Sequence, residues 1–461
     1  MELTEYRSAT PTVAVSEHLP LRERVSYGLL DTAGQLVFTM INNYLLYFYT
    51  DIAGIAVSIA GTILLGARII DAIDAPVWGI IIDKTNTRWG KCRPYFLWLA
   101  VPLGLMGVLT FLSPTGSASM KITYASITYV LVGIIYTGIN TPLTAILPFM
   151  TRDSKERIIL NTYRMVGSVL GVFFVSATAL PLVSLLGQGD DKKGFELTML
   201  VLASLSIMLN IMAFRTIRER NKGVSEEPLP IRKSLRAARG NWPLILIVTS
   251  NLLYWIGFAA RASTLIYYFT YNLENKSIVT LMNSLVSLSI GAIVLIPFFL
   301  NYLRRRNLWL VGLAMAVGGQ LLIYLAGMNM PLIITGWIIA NLGSGIAVSL
   351  PFAMIGSAVD FGEWKTGIKA AGFLTAIGSS LCIKAGSGLG GFIPSIIMDA
   401  FDYRPDALQT TGGLLGIELA FIWLPIGMFL LAAIPLLFYR KYEDMEIRIA
   451  AELLQRKAGI D

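Results

Sequence analysis

The sequence predicts an all-α integral membrane protein with twelve transmembrane helices in two six-helix halves. Its composition excludes a soluble protein, because 55% of the 461 residues are hydrophobic and only 14% are charged. The mean hydropathy is +0.65. Apolar runs of about twenty residues, the length that crosses a bilayer core, recur along the whole chain. One long polar stretch, 218–241, has six such runs before it and six after it.

Each apolar run is predicted to be a helix, because backbone groups in hydrocarbon must be hydrogen-bonded within their own segment. A rise of about 1.5 Å per residue lets about twenty residues cross the core. Polar clusters separate the runs. They place the spans near 25–50, 55–83, 94–113, 120–148, 159–187, 195–217, 242–271, 278–301, 307–327, 331–357, 369–399 and 413–438.

Lysine and arginine are concentrated in alternate loops. They cluster before the first span, after the second and fourth spans, in the central loop and in the tail. The loops at 50–54, 113–119 and 327–331 carry none, and the loop at 187–194 mixes both signs. The positive-inside rule therefore predicts a multi-pass protein of the cell inner membrane with both termini in the cytoplasm. The same asymmetry accounts for the net charge of +8, so no nucleic-acid partner is predicted.

These boundaries define five segments. Residues 1–24 form a cytoplasmic tail, 25–217 the N-terminal half, 218–241 a cytoplasmic central loop, 242–438 the C-terminal half and 439–461 a second cytoplasmic tail. A six-plus-six plan with a cytoplasmic connector is typical of transporters of the major facilitator type, whose substrate site lies near the midplane between the halves. The connector is either a solvated tether or contains a short basic interfacial helix near 231–239.

No catalytic constellation is recognisable. The single histidine, His18, precedes the first span, and Cys92 and Cys382 are far apart in the sequence. There is no metal-ligand cluster and no glycine-rich phosphate loop. We therefore predict a transporter rather than an enzyme, with no cofactor.

The second span carries three charges, Arg68, Asp71 and Asp74, within an apolar segment. A spacing of three residues places them on one helix face. Because a charge in lipid costs several kcal/mol, this face should point into the bundle. The two acids either bind a coupling cation, a proton or a sodium ion, or one of them forms a structural salt bridge with Arg68. Pro76 frees a backbone carbonyl near the pair.

Other charges lie within later spans. Lys384 has no acid nearby in the sequence, so its predicted partner is Asp71 or Asp74, and pairing would keep the site neutral when the cation leaves. Structural pairing or snorkelling of the lysine is the alternative. Arg261 either lines the cavity or pairs with Glu418. Asp31 either caps the first helix or extends the substrate site.

The segment after the second span combines Asp83 with Arg88, Lys91 and Arg93. It is interpreted as a cytoplasmic latch, whose charge contacts form in one access state and break in the other. A basic loop that only sets the topology is the alternative.

Four separated stretches carry a family resemblance. "RIIDAIDAPVWGIIIDKTNTRWGKCRPY", "YTGINTPLTAILP" (136–148), "DSKERIILNTYR" (153–164) and "AVDFGEWKTGIKAAG" (358–372) resemble the glycoside-pentoside-hexuronide:cation symporters, the melibiose permease family. "YWIGFAAR" (254–261) and the tail "FYRKYEDMEIRI" (438–449) are similar to the isoprimeverose and xyloside permeases. The resemblance implies the major facilitator fold and sugar uptake driven by a cation gradient.

The resemblance implies a cation site formed by Asp71, Asp74 and Thr137. Asp71 and Thr137 keep the family residues, whereas Asp74 stands at the family's asparagine position and Ala75 at its second acid position. The acid count is kept, but one carboxylate has moved by one residue, about 100° around the helix. Lys384 matches a family lysine near the cation site and is assigned to coupling.

The resemblance also implies the sugar site. Gln35 and Asn140 replace two family aspartates, Thr144 replaces a stacking tryptophan, and Arg164 matches an arginine that flanks the sugar; Asp31 is added from its position one turn before Gln35. Amides donate to and accept from sugar hydroxyls without charge. Further along, Asp360, Glu363 and Lys369 match a gating segment at the cytoplasmic end between the tenth and eleventh helices.

Together these features predict a secondary active transporter that imports a glycoside with H⁺ or Na⁺ by alternating access. The expected substrate is a pentose-containing disaccharide such as isoprimeverose, or a xyloside. The alternatives are an uncoupled sugar facilitator and a glucuronide:cation symporter. The predicted partners are the sugar, a monovalent cation and membrane lipid, and the chain is expected to work as a monomer.

Overall fold

The computed structural model describes residues 19–151, 153–220, 236, 238–368 and 370–457. In this part of the chain the regular structure is helical, with no β-strand. Lys369 and most of the possible interfacial helix at 231–239 lie outside the described residues.

Twelve helical rods follow one another in the described residues, as the apolar runs predict. The first half contains α1 (Leu21–Tyr47), α2 (Val57–Lys84), α3 (Arg93–Trp98 and Ala100–Thr110), α4 (Ala118–Ala145), α5 (Ser154–Gly187) and α6 (Asp191–Thr216). The second half contains α7 (Trp242–Tyr267), α8 (Lys276–Leu300), α9 (Arg305–Ala326), α10 (Met330–Thr366), α11 (Ala371–Ala376, Ile377–Leu381 and Cys382–Ala400) and α12 (Thr411–Glu418, Leu419–Trp423 and Leu424–Lys457).

Nine of these described rods are long and apolar enough to cross a membrane on their own composition, namely α4 to α12. In α2 the charges of Arg68, Asp71 and Asp74 interrupt the apolar run, and α3 is interrupted at Leu99. The last helix continues without a break to Lys457, well beyond the predicted end of its span at 438. The predicted fold class is confirmed.

Polar side chains fix where several helices begin. Each accepts a hydrogen bond from a backbone N–H group that has no partner inside the helix. Ser117 accepts from the amide of Met120 at the start of α4, and Asp190 accepts from that of Lys193 at the start of α6. The same arrangement begins α7, α10 and α12, with Asn241, Asn329 and Thr410 as the capping residues.

Glycines let the helices pack closely within each half. A Cβ atom added at Gly167 of α5 would lie 2.0 Å from the carbonyl oxygen of Gly28 in α1. One added at Gly319 of α9 would lie 2.4 Å from the carbonyl oxygen of Gly336 in α10. Small residues at such crossings let the backbones approach closely, and this close packing favours helix association in lipid.

The two halves meet through α1 with α7, α2 with α11, and α5 with α8. We call the face where α1 begins and α12 ends the termini face, and the opposite face the far face. At the far face several hydrogen bonds join the halves. Tyr403 donates to both oxygens of Asp51 at 2.8 Å, Tyr271 also donates to Asp51, and the hydroxyls of Thr50 and Tyr267 lie 2.8 Å apart.

At the termini face the ion pairs tie each half to itself. Arg24 binds Glu156 at 2.7 Å in the first half, and Arg305 binds Glu446 at 3.0 Å in the second. The exposed side chain of Thr144, near the end of α4, lies on this side. The arrangement is therefore closed at the far face, and the hydrogen bonds that cross between the halves are concentrated there and at mid-depth.

Candidate functional site

A cavity of about 290 Å³ lies between the halves, close to the lower limit of about 300 Å³ for small-molecule sites. Both halves line it. The first half contributes Gln35, Asn42 and Arg68, and the second contributes Trp255, Arg261 and Trp337. Aromatic walls with a few amides and charges suit a ligand that has both hydroxyl groups and apolar C–H faces.

The acids of α2 lie beside this cavity, and each is paired with a cation. Arg68 Nη1 lies 3.3 Å from Asp71 Oδ2, and Lys384 Nζ lies 3.5 Å from Asp74 Oδ1. Lys384 also donates to the backbone carbonyl of Asp71. Both acids are buried: Asp71 is 7% exposed and Asp74 is 8% exposed. Because Lys384 belongs to α11, this cluster joins the two halves at mid-depth.

One carboxylate oxygen of the acid pair is available for a ligand. Asp74 Oδ2 is buried and has no hydrogen-bond partner in the described part of the chain. Thr137, buried on α4, lies close to the Asp74 side chain. One helical turn earlier, Gly133 leaves room for Asp71, since a Cβ atom there would lie 2.6 Å from Asp71 Oδ1. The predicted cation-site residues Asp71, Asp74 and Thr137 thus lie together.

Arg68 connects the acids to the cavity. Its Nη2 donates to Asn42 Oδ1 at 2.8 Å, and its guanidinium lies 5.3 Å from the centre of the Phe38 ring. Gly388 of α11 leaves space for its side chain. Asn42 was missed by the sequence reasoning, although an amide within the apolar run "TMINNYLLY" is a usable signal.

The residues predicted to bind sugar are separated in this state. Gln35 lines the cavity and donates to Ser168 at 3.0 Å. Asp31 and Arg164 pair with each other at 2.9 Å, outside the cavity lining. Asn140 is half-buried, and the hydroxyl of Thr144 donates to carbonyls of its own helix at 2.8 and 3.3 Å. Neither α4 residue lines the cavity.

Comparison with known proteins decides the family. A family model described as "MFS/sugar transport protein" matches residues 26–441. The chain belongs to this family. Over 445 residues it is 38% identical to the isoprimeverose transporter of Lactiplantibacillus pentosus, covering 95% of this chain and 92% of the relative. It is 28% identical to the glucuronide carrier protein homolog of Escherichia coli (strain K12), covering 96% and 97%.

Solved structures agree in fold. A bacterial homolog of the human lysosomal transporter Spinster, in an inward-facing and unoccupied conformation, superimposes with a TM-score of 0.69 at 14% identity, over 94% of this chain and 99% of that one. At this identity the likeness shows the major facilitator fold alone. The predicted resemblance to glycoside-pentoside-hexuronide:cation symporters is confirmed, and the protein is a sugar transporter rather than an enzyme.

Arg261 of the transporter lies in the cavity wall, the first of its two predicted placements. It is 2% exposed, and its Nη2 donates to Asn341 Oδ1 at 3.2 Å and Ser344 Oγ at 3.1 Å. Its guanidinium lies 4.8 Å from the centre of the Trp337 ring. Glu418, the alternative partner, instead accepts a hydrogen bond from Trp423 at 3.1 Å.

The predicted latch residues lie at the termini face. The carboxylate of Glu219, just after α6, accepts from the backbone amides of Lys91, Cys92 and Arg93, each at 2.8 Å. The Arg93 side chain also donates to the carbonyl of Phe214 at 2.8 Å. In this transporter, these hydrogen bonds hold the segment between α2 and α3 against the C-terminal end of α6, within the first half. Glu219 was not predicted, because it stands in a loop with many charges.

The remaining latch residues do not share this anchor. Arg88 stacks on the neighbouring Trp89 ring at 4.8 Å, and the Asp83 side chain is exposed. Asp360 is exposed and Glu363 is half-buried near the end of α10. Their role as a latch between access states stays a prediction.

Proposed function

We propose that this transporter imports a pentose-containing glycoside, such as isoprimeverose or a xyloside, together with H⁺ or Na⁺. The observation that supports it most directly is the position of Arg68. This side chain lines the cavity, binds Asn42 and pairs with Asp71 of the acid cluster. Binding of a cation at the acid cluster therefore changes the charge and the hydrogen-bond donors that the sugar meets in the cavity. Such linkage is reciprocal, so the sugar equally changes the affinity for the cation.

The acid cluster supports either cation. A proton on Asp74 removes the charge that attracts Lys384, whereas a sodium ion needs carboxylate and hydroxyl oxygens, which Asp71, Asp74 and Thr137 supply. In both cases the incoming cation competes with a resident positive side chain. Neutralising Asp74 thereby loosens a contact between the halves, and this links cation binding to the rocking movement.

The cavity supports a small neutral glycoside. The amides of Gln35, Asn42 and Asn283 line it beside Trp255 and Trp337. Amides match hydroxyl groups in both directions, and the aromatic rings offer faces for sugar C–H groups. A relative that is 38% identical is named as an isoprimeverose transporter, and this favours a pentose-containing disaccharide. The glucuronide alternative is favoured by a different observation, the charge of Arg261 in the cavity lining.

In the proposed orientation, the termini face lies on the cytoplasmic side of the inner membrane. The far face is sealed by Asp51 and the tyrosines of the second half, so the structure then represents an inward-facing state. We also propose that a single chain is the functional unit.

The test is uptake of a radiolabelled xyloside panel into right-side-out vesicles with an imposed gradient. Concentrative uptake that needs sodium assigns the acid cluster to sodium. Concentrative uptake that a protonophore abolishes without any sodium requirement assigns it to a proton. Uptake that only equilibrates, with or without a gradient, would refute coupling and leave the facilitator alternative.

A further inference from the structure

The cationic side chains in the middle of the bundle are not equivalent. Arg68, Arg164 and Lys384 each have a carboxylate within 3.5 Å, namely Asp71, Asp31 and Asp74. Arg261 differs, since its hydrogen-bond acceptors in the described chain are the neutral groups of Asn341 and Ser344.

The charge of Arg261 is therefore not compensated by the described protein. Its Nη1 is buried and has no hydrogen-bond partner among the described residues. The hydroxyl of Tyr254 donates to the carbonyl of Ser344, the residue whose Oγ accepts from Arg261. The rings of Trp337 and Phe258, at 4.8 and 5.7 Å, favour a cation but do not neutralise it.

Burial makes this arrangement costly. A guanidinium removed from water loses hydration that one amide, one hydroxyl and two rings replace only in part. Arg261 also lines the same cavity as Gln35 and Arg68, so a ligand in the cavity approaches a wall with one positive charge in excess. A planar guanidinium with a free N–H group is the preferred partner of an anion, above all a carboxylate.

We infer that Arg261 forms an anion-binding subsite within the sugar cavity, which takes one monovalent anion. The anion is either a carboxylate on the glycoside itself, as in a uronosyl pentoside, or a free chloride ion that accompanies a neutral sugar. The inference rests on the proposed function only in placing a glycoside in the same cavity. Arg164 and Lys384 are already paired with the carboxylates of Asp31 and Asp74.

The experiment is equilibrium exchange of a radiolabelled neutral xyloside in proteoliposomes, which needs no cation gradient. One arm compares competition by a glucuronosyl-xylose and by the neutral xylosyl-glucose. A second arm replaces chloride with a large impermeant anion. We expect the acidic competitor to bind at least about tenfold more tightly than the neutral one, or the neutral sugar to lose at least about tenfold in affinity without chloride.

Two variants separate charge from packing. Arg261→Gln is expected to abolish whichever difference the wild type shows, and Arg261→Lys to keep part of it. Ser344→Ala removes one hydrogen bond to Nη2, keeps the charge, and should retain the difference. Equal competition together with indifference to chloride in the wild type overturns the inference without any variant. A difference that survives in Arg261→Gln overturns the assignment to Arg261.

Failure of the proposed function gives a different pattern. If the neutral xyloside is not exchanged at all, binding of the two competitors and of chloride is measured directly by calorimetry on the purified protein. Anion binding that Arg261→Gln removes then supports the subsite even for another sugar. The absence of anion binding overturns it.

Discussion

The carboxylate of Asp51 accepts hydrogen bonds across the far face, and Asp51→Asn tests how much they contribute to its closure. Tyr403 donates to both oxygens of Asp51 at 2.8 Å, and Tyr271 donates to it as well. Both tyrosines belong to the second half, so their hydrogen bonds join the halves. The substitution keeps the size of the side chain but removes its charge and replaces one acceptor oxygen with an amide group.

The expected magnitude follows from the two tyrosine hydroxyls, each counted as one hydrogen bond to Asp51. A hydrogen bond to a charged group contributes about 1.5–3 kcal/mol, against about 0.5–1.5 kcal/mol between neutral groups. Replacing two charged bonds by neutral ones therefore weakens closure by about 2–3 kcal/mol. Since about 1.4 kcal/mol is a factor of ten, the equilibrium between closed and open far faces should shift roughly 30- to 140-fold toward opening.

Spin labels can measure this shift as a distance distribution. Thr115→Cys and Leu408→Cys lie on exposed far-face loops of the two halves, and Leu408 is 99% exposed. The two native cysteines, Cys92 and Cys382, are buried. In Asp51→Asn the population with the longer separation should grow.

The matched control is Asp402→Asn. Asp402 lies next to Tyr403, and its carboxylate pairs with the exposed Arg404 of the same loop at 3.0 Å. An unchanged distribution in Asp51→Asn, or an equal change in Asp402→Asn, would refute the reasoning.

Three further predictions concern the acid cluster, the anchor between α2 and α3, and helix packing. Asp71→Asn should abolish concentrative uptake and retain exchange of labelled sugar in vesicles; full accumulation would remove Asp71 from coupling. Glu219→Ala removes the acceptor of three backbone amides, so the buried thiol of Cys92 should react with a maleimide roughly tenfold faster or more; an unchanged rate contradicts the anchor. Gly167→Val places atoms within 2.0 Å of the Gly28 carbonyl and should lower the thermal unfolding temperature, whereas Gly291→Val, with no atom within 4 Å, should not; equal effects would contradict the packing argument.

Much of the fold follows from the sequence, because a membrane leaves the backbone few choices. Apolar length and the distribution of charge predicted the spans, and the helical spacing of Asp71 and Asp74 put both on one face. A buried lysine without a local acid requires a distant one, so the neighbours of Lys384 were predictable in kind. Its role in coupling stays a prediction.

Other features needed the structure. The positions of Asn140 and Thr144 relative to the cavity depend on how the helices pack against one another, and the apolar pattern carries no such information. Glu219 stands among many loop charges, so nothing in its neighbourhood identifies the three amides that it binds. The π-helical turns at Phe48–Ile52 and Tyr268–Asn272 are equally invisible to an apolar pattern.

The pairing of Lys384 with Asp74, beside that of Arg68 with Asp71, has an electrical consequence. Two positive and two negative side chains give this cluster no net charge before any cation arrives. A carrier that returns empty therefore moves no charge at this position through the membrane field, which acts at about 2.3 kcal/mol per elementary charge per 100 mV. A bound cation adds one positive charge to the cluster. As far as this cluster is concerned, the membrane voltage therefore drives the crossing of the loaded carrier and leaves the return of the empty carrier nearly unaffected.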